Sequence, residues 1–140
     1  MDSYNYETQG NETVCTIIYD GLEFVGKAKC HPDDMDYYSE ITGSTIAEAR
    51  AQQKVLKHVK NNIIIPQLKI IKHIYCNFNT STHIDKTSKP YKIIKKQYFE
   101  LEEELKQIKQ DIKDNQIFLY NYLKGKDKIY TRLRNKAKSE

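Results

Sequence analysis

The stretch that decides the fold is Thr13–Cys30, TVCTIIY-DG-LEFVGKAKC. Thr13–Tyr19 is rich in β-branched residues and reads as a strand. Asp20-Gly21 follows, and then a second run of strand character from Leu22. A two-residue Asp-Gly loop requires positive φ at both positions, which these residue types tolerate best, so the segment reads as a β-hairpin. The turn sets the register: Tyr19 faces Leu22, Ile17 faces Phe24 and Cys15 faces Gly26. That face is apolar and is expected to pack on helices. The opposite face pairs Ile18 with Glu23, Thr16 with Val25 and Val14 with Lys27, and is mixed.

A lone hairpin is marginal in water. Upstream, residues 1–12 are polar and acidic and read as a flexible tail, so no third strand is expected. Downstream, His31–Gly43 reads as a loop. Thr45-Ile46-Ala47-Glu48 fits a capping box, with Thr45 as N-cap. From there a helix is expected over 45–78, kinked near Pro66, which lacks an N–H. Asn79–Pro90 is a polar loop. Beyond it, Ile94, Tyr98, Leu101, Leu105, Ile108, Ile112, Asn115, Leu119 and Tyr122 alternate spacings of four and three. This heptad seam has one polar member, Asn115, of the kind that fixes register. A long helix is expected over 91–124, interrupted at Gly125, with a further short helix over 127–137. The expected fold class is α+β: a single domain over 13–140, with an N-terminal antiparallel hairpin (13–30) packed on a kinked helix and a long C-terminal helix, assembling as a homo-oligomer.

The 140 residues suffice for one core. Eleven Tyr and four Phe argue against a disordered chain. No apolar run approaches a membrane span, and the acidic, polar first ten residues are unlike a secretory leader. Cys15, Cys30 and Cys76 are an odd count, which fits free thiols in a reducing compartment. Cys30-His31 with Asp33, Asp34 and Asp36 completes no tetrahedral ligand set, so no metal and no cofactor are expected. No nucleophile–base order and no phosphate-cradling glycine loop stand out, and no catalytic residue is assigned.

The formal charge of +4 hides an asymmetry. Residues 1–45 hold nine acids and two lysines, a net of −7; residues 46–140 hold ten acids and twenty-one basic residues, a net of +11. That is a prior for an anionic partner on the C-terminal part. Twenty of the bases are Lys and three are Arg: Arg50, Arg132 and Arg134. Arg presents the planar fork suited to phosphate. Aromatics and amides gather at the end of the kinked helix in Tyr75, Asn77, Phe78 and Asn79. An aromatic face can stack a purine, although Tyr75 and Phe78 also fit as the end of a core stripe. Gly26-Lys27-Ala28-Lys29, Gly43-Ser44 and the IAEARAQQKVL segment resemble the second half of a double-stranded-RNA-binding domain. In place of that domain's phosphate-binding lysines stand Thr45, Ile46 and Glu48.

The layout of the chain from Thr13, with the strings G-K-A-x-C-H-P-D-D and I-A-E-A-R-A, resembles the first-described Thoeris anti-defence family of small phage proteins. The resemblance implies an oligomeric sponge in the cytoplasm of an infected bacterium. It would sequester a cyclic ADP-ribose-type signal without cleaving it, and could hold cyclic oligonucleotides at a separate site. It points to Arg50, within I-A-E-A-R-A, as a phosphate contact. By residue type, Tyr75 and Phe78 are candidates for adenine stacking, Asn77 and Asn79 for polar contacts, and Arg132 and Arg134 for a second anionic contact. A small nucleic-acid-binding protein and a coiled-coil adaptor are the competing readings.

Overall fold

A computed structural model describes residues 3–30, 39–81 and 85–139. The chain divides into two compact units: Met1–Val55 with Lys113–Glu140, and Leu56–Ile112.

In the first unit, β1 (Ser3–Gln9), β2 (Glu12–Tyr19) and β3 (Leu22–Lys29) form an antiparallel sheet in the order β1-β2-β3. The β2–β3 register is the expected one, with Tyr19 opposite Leu22, Ile17 opposite Phe24 and Cys15 opposite Gly26. Asp20 and Gly21 take φ of 54° and 73°, as a two-residue hairpin loop demands. The expectation of a flexible tail over 1–12 is corrected: Ser3–Gln9 is a full strand that pairs with Ile18–Glu12. Gly10, at φ 59°, opens a second two-residue turn with Asn11. Asn11 also ties the sheet together, since its Nδ2 donates to the Cys30 carbonyl and its own carbonyl accepts from Cys30 N, both at 2.8 Å.

Helix α1 (Glu40–His58) lies on the sheet. It starts earlier than the expected Thr45 cap. Ser39 is the cap, its Oγ accepting from Thr42 N at 3.1 Å, whereas Thr45 Oγ1 donates to the Ile41 carbonyl one turn inside the helix. Gly43 costs about 1 kcal/mol in a helix interior, but here it is buried, and packing prevails over propensity. Cys15, Ile17, Ala28, Ile46, Ala47 and Ala51 form the core, flanked by Val55 and, from the last helix, by Leu119, Tyr122 and Leu123.

In the second unit, a π-helical stretch (Val59–Ile64) leads into α2 (Ile65–Thr80), with Pro66 in its first turn. In a regular helix the Pro66 ring would collide with the Asn62 carbonyl. The wide π turn, in which Ile65 N donates to the Lys60 carbonyl, occupies the residues just before the ring, so helicity continues without a break in the chain.

Helix α3 (Lys89–Ser139) contributes its first part to the second unit and its remainder to the first. It is one helix of 51 residues, not a 91–124 helix followed by another over 127–137. Gly125 fails to interrupt it because the cost of one glycine, about 1 kcal/mol, is small beside the partly buried Tyr122, Leu123, Tyr130 and Leu133 on either side. The heptad seam is the less exposed face of α3, with Ile108 its most buried member. Asn115 closes it within the chain: its Nδ2 donates to the Ala49 carbonyl at 2.9 Å and to Gln53 Oε1 at 2.8 Å. The fold class is α+β, as expected. No helix among the described residues is long and apolar enough to cross a membrane.

Candidate ligand site

The end of α2 and the start of α3 build an aromatic cluster in the second unit. The Tyr75 ring stacks on Tyr98, with centroids 4.9 Å apart and planes 12° apart, and on Tyr91 at 6.1 Å and 28°. Phe99 meets Tyr75 and Tyr98 edge-on, at 6.1 and 5.3 Å, each at 68°. Tyr91 is buried and donates its hydroxyl to Asn79 Oδ1 at 3.2 Å. Asn77 Nδ2 lies 3.3 Å from His73 Nε2. Phe78, also on α2, is half-buried, while Phe99 stays 48% exposed.

Two phenols here are perturbed. A hydrogen bond to the Glu102 carboxylate, with burial and the Glu102 charge behind it, pushes Tyr98 up to about 12. Burial, followed by the bond to Tyr91, raises Tyr75. Both phenols therefore remain neutral donors and acceptors at physiological pH.

The cluster sits in a strongly basic stretch. Lys69, Lys72, Lys86, Lys89, Lys92, Lys95 and Lys96 are all exposed, against one acid, Asp85, between Leu68 and Phe99. On α3, Lys92, Lys95, Lys96 and Phe99 share one face by their spacing of three and four. The sign then reverses at Glu100, Glu102, Glu103 and Glu104. This arrangement offers an exposed ring for stacking and ammonium groups for phosphate.

The concave regions suit anions poorly. A groove of about 410 Å³ in the second unit is floored by Ile70, Ile71 and Leu101 but rimmed by Glu100 and Glu104. A hollow of about 240 Å³ on the sheet carries Glu7 and Glu12 against Lys29. Among the described residues no cluster of three or more His, Cys, Asp or Glu is arranged to hold a metal ion; His31, Asp33, Asp34 and Asp36 lie outside them.

Of the residues singled out in the sequence, Tyr75, Asn77, Phe78 and Asn79 lie in the second unit, where Tyr75 and Asn79 both meet Tyr91 and Asn77 bonds His73 on its own helix. Arg50, Arg132 and Arg134 belong to the first. Arg50 Nη1 donates to the Lys27 carbonyl at 2.6 Å, and Lys54 Nζ bonds the Val25 carbonyl at 2.5 Å, so these two cations cap the outer edge of β3. Arg134 bonds Thr131 Oγ1 at 3.2 Å, and Arg132 is exposed. Sequence reading missed Tyr91, Tyr98 and Phe99 as site residues. A signal existed for two of them, since Tyr91-Ile94-Tyr98 extends the heptad seam upstream by one member.

Comparison with known proteins finds no matching family, no similar characterised protein and no matching solved structure.

Proposed function

We propose that this chain is a phage-type anti-defence protein that binds a cyclic ADP-ribose-type nucleotide in the cytoplasm of an infected bacterium and holds it without cleavage. The observation that carries this reading is the Tyr75–Tyr91–Tyr98–Phe99 cluster beside Lys92, Lys95 and Lys96. An adenine stacks on the exposed face of Phe99, the lysines neutralise the pyrophosphate, and the amide of Asn79, held by Tyr91 at the cluster, is at hand for ribose or base. Stacking on an aromatic ring contributes about 1–3 kcal/mol per base. The resemblance of the hairpin and I-A-E-A-R-A strings points the same way. Depletion of a signal works by mass action, so abundance and slow release matter and turnover does not.

The test is retention. The protein is incubated with cyclic ADP-ribose isomers, filtered, and heat-denatured to release what it holds. Recovery of intact nucleotide, lowered at least tenfold by Phe99→Ala or by Lys92→Glu with Lys96→Glu, supports the proposal. Recovery of hydrolysed product makes the protein an enzyme, and no retention removes the reading. A helix-docking adaptor is the second reading, favoured by the exposed Ile117, Phe118, Tyr120 and Ile129 on α3. It predicts full activity in the Phe99→Ala variant and loss on Phe118→Ser.

A further inference from the structure

The two edges of the sheet are treated differently. On β3 the outward carbonyls of Val25 and Lys27 are occupied by Lys54 and Arg50 of α1. On β1 all seven residues are exposed, and among the described residues none of its outward backbone groups has a hydrogen-bond partner. The strand contains no Pro, Lys or Arg, the residues that commonly blunt a free edge.

The register shows which groups point outward. Because Val25 and Lys27 bond away from the sheet, Phe24, Gly26 and Ala28 bond inward to Ile17, Cys15 and Thr13. That leaves Val14, Thr16 and Ile18 to bond Glu7, Asn5 and Ser3. Tyr4, Tyr6 and Thr8 therefore turn their N–H and C=O groups outward. The two tight turns give the same parity, since a two-residue loop closes on a hydrogen-bonded pair.

We infer that two copies of the chain pair antiparallel through β1 about a two-fold axis at Tyr6, joining their sheets into six strands. This register matches all seven residues and places an outward residue on the axis, so Tyr6 exchanges both backbone bonds with its symmetry mate, and Tyr4 does so with Thr8. Asn5 then faces Glu7, and no like charges meet. Shifting the axis to Glu7 would set two carboxylates against each other, which is destabilising. The interface is isologous, as closed dimers require. The side chains agree. Tyr4 and Tyr6 lie opposite Ile17 and Cys15 on the core face, yet are 46% and 43% exposed where the core residues are buried. The paired strand would carry the core face on through four tyrosines. This inference rests on the sheet alone and does not depend on the ligand.

Thr8→Pro tests it, because proline at an outward position removes an edge donor while sparing the β1–β2 ladder. Sedimentation of the full chain is expected to show an assembly with an even number of copies, and Thr8→Pro to raise the dissociation constant at least tenfold with unchanged circular dichroism. As a second route, Asn5→Cys and Glu7→Cys chains, each with Cys76→Ser and distinguished by mass, are mixed and oxidised. Disulfides between the two kinds of chain should far exceed those within either kind, because 5 and 7 oppose each other as a close pair. A monomeric wild type, retained assembly in Thr8→Pro, or equal self- and cross-disulfides would overturn the inference.

Discussion

Gly26 of β3 lies so close to Ala47 of α1 that a Cβ on it would come within 2.1 Å of the Ala47 carbonyl oxygen and 2.4 Å of Ala51 N. No real contact is that short, so the strand and the helix meet backbone to backbone. Ala47 and Ala51, both fully buried, supply the flat helical surface this approach needs. The small residues in GKAK and IAEARA thus form a packing joint, and Arg50 fastens its rim at the Lys27 carbonyl.

Gly26→Ala should therefore cost about 3 kcal/mol, at the upper end for overpacking, because backbone and not a flexible side chain must move. Gly125→Ala, with nothing within 4 Å of the added methyl, should stabilise by about 1 kcal/mol through helix propensity. Urea unfolding of both variants checks the pair; equal effects would rule out the close approach.

Asn115→Ala should destabilise by about 1–3 kcal/mol, since it removes the donor to Ala49 and Gln53 and leaves their oxygens unpaired in a half-buried seam. A double-mutant cycle with Gln53→Ala should give a coupling energy near 1 kcal/mol. A value near zero would show that the two side chains do not meet in solution.

Arg50→Ala should lower stability by 1 kcal/mol or less, because the bond to Lys27 is exposed. Combined with Lys54→Ala, it bares the outward carbonyls of β3 and should promote concentration-dependent association, read by light scattering. Nucleotide retention should stay within twofold of wild type. A larger loss would restore Arg50 as a ligand contact.

Tyr6 is pushed up to about 12, first by partial burial and then by the Glu48 carboxylate. In the unfolded chain the phenol ionises near 10, so between pH 10 and 12 the folded state holds more protons. Its contribution is fully present below pH 10 and is lost as pH rises through 12. Tyr6→Phe should flatten the fall in stability over that window, measured by urea unfolding at stepped pH. Absorbance at 295 nm should show one fewer late-ionising phenol.

Local chemistry made much of the molecule legible. Asp20-Gly21 determined a hairpin and its register because few residues tolerate two successive positive φ values. The heptad spacing determined the buried face of α3, and Asn115 stood out as its polar member. The strand at Ser3–Gln9 was harder to see. It is an edge, exposed along its length, so it lacks the apolar alternation that marks a half-buried strand, and only Gly10-Asn11 signalled the turn behind it. The passage of α1 through Gly43 and of α3 through Gly125 ran against propensity because packing outweighed terms near 1 kcal/mol.

The candidate site divides along the same line. The aromatics and amides of α2 could be named from the sequence, because residue type alone suggests stacking. Their partners Tyr91, Tyr98 and Phe99 lie at the start of the next helix, and only the return of the chain brings those rings together. The resemblance carried by I-A-E-A-R-A pointed to Arg50 as a phosphate contact; tertiary structure engages it at the β3 edge, since a guanidinium bonds whatever acceptor the fold places in reach. The sequence determined what each segment can form, through turn chemistry and periodicity. Which groups meet was decided only in three dimensions, where packing selects among partners that local chemistry leaves equal.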